Sequence, residues 1–151
     1  MARIISLVIG YCFGLIQTAM IYGKLQGFDI RKQGSGNAGT TNMLRVKGLK
    51  AGLIVFAGDF LKGLAAVLVV TAIFKASHPD KIYLLKVYSA LGVVLGHDYP
   101  FFLKFKGGKG VATTAGFMNG FHWTFVPVGL GLFFLGFLTT HYVSLGSLML
   151  Y

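Results

Sequence analysis

An all-α bundle of membrane segments is the fold that this 151-residue sequence predicts, and three observations predict it. Only 12% of the residues are charged, against about a quarter in a soluble domain. The mean hydropathy is +0.72. Residues 4–23 and 111–138 hold no formal charge, and ~20 apolar residues let a helix cross ~30 Å of hydrocarbon. The same apolar content excludes a disordered basic tail. A lone cysteine, Cys12, rules out an intramolecular disulfide framework or a multi-Cys metal site. The chain reads as a single membrane domain over residues 1–151.

The first predicted span is 4–23, longer than the ~7 to 15 residues of a cleaved signal core. The second, 51–74, holds Asp59 and Lys62, three apart and so on one helical face. Ionised groups inside a span cost ~2.5 to 3.5 kcal/mol each on insertion scales, so these two are expected to pair. The third runs from about 82 to 96 or beyond, with Lys86 near its start. As one helix, 111–138 would be ~42 Å long, more than a single span needs. Asn119, Gly120, His122, Trp123 and Pro127 interrupt it, which predicts two short, tilted or partly re-entrant segments at about 111–121 and 125–138. The bundle therefore has about five to six segments. The sequence stops at Tyr151 in what reads as the opening of another apolar helix, so the domain is expected to be incomplete at its C-terminus.

The formal charge is +10, from 14 Lys or Arg against four acids, all Asp. Lys24, Arg31, Lys32, Arg45, Lys47 and Lys50 lie in one inter-span segment and Lys104, Lys106 and Lys109 in another. Basic residues collect in cytoplasmic loops, which predicts both segments inside and the N-terminus outside. The basic residues flank spans, so nucleic acid is a poor explanation of the charge.

Both inside loops are rich in glycine. Residues 34–45, GSGNAGTTNMLR, have the chemistry of an anion cradle: glycines let backbone N–H groups converge, short hydroxyl and amide side chains add donors, and Arg45 offers a bidentate fork for phosphate. Gly34, Gly36 and Gly39 also satisfy G-x-G-x-x-G with Asp59 twenty residues on, but the dinucleotide fingerprint needs a preceding strand in a βαβ unit. Residues 96–116, GHDYPFFLKFKGGKGVATTAG, join His97 to three lysines and a glycine cluster. This is no Walker A loop, because Leu103 stands where its first glycine belongs and Gly110 where Ser or Thr should follow the lysine. Lys106 is read as a positive-inside residue, Lys104 and Lys109 as phosphate partners. The four His show no ligand spacing, so no metal and no cofactor is expected.

SGNAGTTNMLR at 35–45, GHDYPFFLKFKGGKGVAT at 96–113 and YVSLGSL at 142–148 resemble, in order, spacing and membrane setting, the bacterial acyl-phosphate:glycerol-3-phosphate acyltransferases (PlsY family). The resemblance covers nearly the whole chain. It implies a multi-pass inner-membrane enzyme of phospholipid synthesis that moves a fatty acyl group from acyl phosphate to the 1-hydroxyl of glycerol 3-phosphate, giving lysophosphatidic acid. It implies no acyl-CoA or acyl-carrier-protein donor, membrane lipid as the setting, and a functional link to a soluble enzyme that makes acyl phosphate. Members continue into further helices with a third motif containing His, Asn and a Gly-Thr-Glu-like element, which is absent here along with every glutamate. The His and Asp pair of other glycerolipid acyltransferases, with four residues between them, is also missing.

On this reading Ser35, Gly36, Asn37, Gly39, Thr41, Asn42, Arg45, Gly108 and Lys109 are expected to bind substrate phosphates. Lys104 and Lys109 neutralise the phosphates and stabilise the leaving group, and Ser144 and Ser147 contact glycerol phosphate. The catalytic set is Ser35, His97 and Lys104. His97 either removes the hydroxyl proton or fixes loop geometry, since a substrate phosphate oxygen could itself take that proton. The alternative is a small transporter or channel for phosphorylated solutes, which would use the same anion sites.

Overall fold

The computed structural model describes residues 1–149. Within them seven α-helices follow in order: α1 (Ala2–Gly14), α2 (Thr18–Leu25), α3 (Thr40–Phe74), α4 (Ile82–Asp98), α5 (Val111–Phe121), α6 (Phe125–Thr140) and α7 (Val143–Leu148). Short 3-10 turns lie before α3, before α4 and between α4 and α5.

The first predicted span is not one helix. It breaks between α1 and α2, where Gln17 leaves helical geometry at φ −93° and ψ 86°. A break inside an apolar segment exposes carbonyls that lipid cannot satisfy, and here the protein satisfies them. The Gln17 amide donates to the Gly14 carbonyl at 3.2 Å, and Lys62 donates to the Ile16 carbonyl at 2.6 Å. The second span also differs from expectation, since α3 begins at Thr40, well before residue 51. Gly48, at φ 80° and ψ −178°, kinks it into a short basic arm and a long apolar rod. The division of 111–138 into α5 and α6 is as predicted, around His122 to Thr124.

Small residues set the packing. α1 meets α4 through Ser6, Gly10 and Gly14 against Ser89, Gly92 and Gly96, a small residue every three or four positions. A Cβ at Gly10 would strike the backbone of Ser89, and one at Gly96 the carbonyl of Tyr11. Backbones can approach this closely only where side chains are absent, the usual route to helix association in lipid. α3 and α5 meet the same way: a Cβ at Gly63 would strike the Thr113 carbonyl, and one at Gly116 the Phe60 carbonyl. Lys86 braces the far end of α5, donating to the Gly120 carbonyl at 3.2 Å while lying 5.3 Å from the Tyr83 ring centroid.

Polarity runs opposite to that of a soluble core. Leu61, Leu91 and Leu138 are 57%, 51% and 64% exposed, whereas Asp59, Lys62 and His97 are 2%, 4% and 3% exposed. That pattern suits an apolar solvent around a bundle that keeps its charges inside. Two segments, Ala2–Leu25 and Thr40–Phe74, are long and apolar enough to cross a membrane.

Candidate active site

The first glycine loop is folded around a single buried amide. Asn42, in the first turn of α3, accepts the Ser35 backbone N–H on Oδ1 at 2.9 Å and points Nδ2 at the carbonyls of Ile30, Gln33 and Asn37, at 3.3, 3.0 and 3.0 Å. Gly34 is obligatory twice over. Its φ is +58°, and a Cβ there would collide with Asn42 Oδ1. The Asn42 amide thus braces the loop from within, with both its donor and acceptor ends bonded to loop backbone. Ser35, Thr41 and Arg45 are exposed around this brace, and Gly36 and Asn37 are half-buried. The loop runs into Gly39, the residue before α3, whose first-turn N–H groups carry partial positive charge.

The second loop folds back on the end of α4. Gly107 N–H bonds to the Asp98 carbonyl at 2.9 Å and Gly108 N–H to the His97 carbonyl at 3.2 Å. A Cβ at Gly108 would collide with His97 Nε2, so the loop lies directly on the imidazole. Lys104 and Phe105 take left-handed backbone angles, φ 55° and 59°, a conformation that costs roughly 1 kcal/mol or more at each non-glycine residue. The Phe105 N–H to Pro100 carbonyl bond, 3.1 Å, holds them there. Lys104, Lys106 and Lys109 are all exposed on this strained segment. Asp98 stands beside Gly110, so the start of α5 already faces a carboxylate.

Beneath the loops lies a buried polar cluster. Asp59 Oδ1 is 3.0 Å from Lys62 Nζ, and Lys62 Nζ is 2.6 Å from His97 Nδ1. Thr18 Oγ1 donates to Asp59 Oδ1 at 3.1 Å. The Gln17 amide donates to the His97 carbonyl at 2.9 Å, tying the α1–α2 break to the end of α4. The predicted pairing of Asp59 with Lys62 is present, and His97 is its third member.

An apolar cavity of about 410 Å³ opens between α3, α5 and α6. Phe56, Phe60, Met118, Leu130 and Phe134 line its body, and Thr40, Val111 and Thr114 bring the first turns of α3 and α5 to its wall. Thr40 Oγ1 and Thr113 Oγ1 are buried without a hydrogen-bond partner. Thr40 lies on the cavity wall, where its hydroxyl is a polar group that a ligand could engage, whereas Thr113 is fully enclosed.

The structure therefore brings the starts of α3 and α5, each preceded by a glycine loop, to one cavity. His97 lies inward of the second loop. The side chains of Ser144 and Ser147 lie outside the described residues. Cys12 is exposed on α1. Among the described residues no group of three His, Cys or acidic side chains could hold a metal ion. Outside the spans, Arg31 bonds Asp29 at 2.9 Å and holds its carboxyl below the usual carboxylate range.

Three comparisons bear on this arrangement. The model of the glycerol-3-phosphate acyltransferase family matches residues 4–151. The chain is 42% identical over 149 residues to a glycerol-3-phosphate acyltransferase of Chlorobaculum tepidum, an alignment covering 95% of this chain and 64% of the relative. It is 46% identical over 148 residues to one from Clostridioides difficile, covering 97% of this chain and 72% of that protein. The crystal structure of PlsY, an integral membrane glycerol 3-phosphate acyltransferase in its glycerol 3-phosphate form, superposes with a TM-score of 0.86 at 36% identity, over 99% of this chain and 72% of that one. The chain thus spans less than two thirds of the length of the Chlorobaculum relative.

Proposed function

We infer the function from one premise: the chain belongs to the glycerol-3-phosphate acyltransferase family. We propose that it serves transfer of a fatty acyl group from acyl phosphate to the 1-hydroxyl of glycerol 3-phosphate, releasing lysophosphatidic acid and inorganic phosphate. The observation that carries this is the apolar cavity of about 410 Å³ reaching the starts of α3 and α5. A fatty chain fits its aromatic and aliphatic lining. The glycine loops that lead into the same two helices supply the cations and neutral donors that phosphate requires.

The chemistry follows from an activated donor. The hydroxyl oxygen attacks the acyl carbonyl carbon, the carbon–oxygen bond to phosphate breaks, and the phosphate leaves with the electron pair. Ser35, Thr41 and Arg45 orient the phosphates, and Lys104 with Lys109 offsets the charge that gathers on the leaving group. No covalent acyl-enzyme is invoked, since Cys12 faces outward on α1. The hydroxyl proton passes to a substrate phosphate oxygen, because Nδ1 of His97 is already engaged by Lys62. Gly36, Gly39 and Gly108 let backbone approach the ligand, and Asn37 and Asn42 shape the first loop.

The positive-inside pattern supports a bacterial inner-membrane setting with both loops cytoplasmic, where a soluble enzyme delivers acyl phosphate. The interior charges weigh against the transporter reading. Asp59, Lys62 and His97 bond one another instead of lining a passage.

Donor choice tests the proposal. The protein in liposomes is given glycerol 3-phosphate with acyl phosphate, acyl-CoA or acyl carrier protein in turn. Equimolar lysophosphatidic acid and inorganic phosphate are expected from acyl phosphate alone, and product from acyl-CoA instead would overturn the donor assignment.

A further inference from the structure

The buried cluster ends on the imidazole that the second loop covers, and it determines which ring nitrogen carries the proton. A lysine ammonium has three donors and no acceptor. Three acceptors stand around Lys62 Nζ: the Ile16 carbonyl at 2.6 Å, Asp59 Oδ1 at 3.0 Å and His97 Nδ1 at 2.6 Å. The Gly14 carbonyl, at 3.4 Å, shares one of them. The set satisfies an ammonium whose counter-ion is Asp59, itself fixed by Thr18. A proton on His97 Nδ1 would confront a hydrogen of Lys62, so Nδ1 accepts. A neutral imidazole that accepts at Nδ1 carries its hydrogen on Nε2.

The backbone keeps the ring in register. The His97 carbonyl takes hydrogen bonds from the Gln17 amide at 2.9 Å and from Gly108 N–H at 3.2 Å. Nε2 lies against Gly108, where the missing side chain makes room for it. The N–H therefore faces the loop that carries Lys104 and Lys109.

We infer that Lys62 is a positioning residue: anchored by Asp59 and the Ile16 carbonyl, it holds His97 in the Nε2–H tautomer, so that His97 meets a substrate oxygen as a hydrogen-bond donor and not as a base. The broken first span then has a use, because the carbonyl it frees is one of the anchors. The donor role rests on the acyl-transfer reading. The tautomer does not, so the two can fail separately.

Solid-state NMR of the protein in bilayers, with ¹⁵N-labelled histidine and lysine, reads the tautomer directly. The expected result is an unprotonated His97 Nδ1, correlated with Lys62 Nζ, and a protonated Nε2. Lys62→Met should erase the preference and give a mixture of tautomers. Should that variant fail to fold, the wild-type correlation decides alone. A protonated Nδ1 in the wild type, or an unchanged preference in the Met variant, overturns the inference. Glutamine can donate but cannot act as a base, so His97→Gln should lose less than about tenfold in kcat while His97→Ala loses about a hundredfold, the scale of one deleted transition-state donor. Equal losses in the two variants overturn the donor role. Absence of acyl transfer in the wild type would instead sink the acyl-transfer reading and leave the tautomer standing.

Discussion

Lys62 and His97, 35 residues apart in sequence, meet inside the bundle with Lys62 Nζ 2.6 Å from His97 Nδ1. The contact joins a charge buried in α3 to the imidazole on which the second glycine loop rests. Stability and site geometry are therefore linked through one side chain.

Breaking the buried Asp59–Lys62 pair from one side strands a charge that removing both partners does not. Asp59→Ala leaves Lys62 buried without its counter-ion, a change worth on the order of 3 to 5 kcal/mol in a buried pair. The Asp59→Leu, Lys62→Met double variant should lose less than the sum of the two single changes, because neither charge is stranded. Reversible unfolding in detergent measures this, and strict additivity would show that the pair is not coupled.

Gly108 should tolerate no side chain. In Gly108→Ala the new Cβ would collide with His97 Nε2 and push the ring or the loop aside, and a displacement of about 1 Å can cost about 10²-fold in turnover. Gly131, in α6, is the control, since a Cβ there meets nothing within 4 Å. Gly131→Ala should leave kcat unchanged and raise the unfolding temperature slightly, as expected when glycine is replaced inside a helix.

Filling the cavity should shorten the acyl chain the protein accepts. Ala115 lies on its wall, and Ala115→Trp places an indole in the path of a long chain. The ratio of kcat/KM for long against short acyl phosphates should fall about tenfold or more. An unchanged ratio would place the chain elsewhere.

The Asp29–Arg31 pair predicts a small acid-sensitive term. Arg31 lowers the Asp29 carboxyl below its ordinary 3.8, so the folded pKa lies beneath the unfolded one. The stabilisation is therefore fully present above pH 3.8 and is lost as the pH falls through the folded value. Both side chains are partly exposed, which keeps the effect under about 1 kcal/mol and weakens it in salt. The stability difference between the wild type and Arg31→Ala, followed from neutral to acid pH, should shrink toward zero.

Segment identity was legible in the sequence because bilayer burial leaves long charge-free stretches, and the α5–α6 division was legible because Asn119 to Pro127 interrupt one of them. The α1–α2 break was not. Its only local mark is Gln17, and the groups that make it tolerable, Lys62 and the end of α4, come from distant parts of the chain. Gly48 gave no signal either, since a glycine in an apparent loop is ordinary until the helix is seen to run through it. At the site, exposed Ser35, Thr41, Arg45, Lys104 and Lys109 stood out by type and spacing. Asn42 stood out for the same reasons, but only geometry separates an amide that brackets a loop from one left to a ligand. Asp59 and Lys62 announced their pairing by spacing, and their third partner, His97, lies a helix away.

The most direct test of the account is where the acyl chain lies. An acyl phosphate analogue with a photoreactive diazirine at the end of its chain, irradiated on the protein in bilayers and located by mass spectrometry, should label Phe56, Leu130 or Phe134 in the cavity, and excess unlabelled acyl phosphate should suppress the adduct. Labelling of the α1–α4 face instead, at Val8 or Val87, with no competition by acyl phosphate, would contradict it.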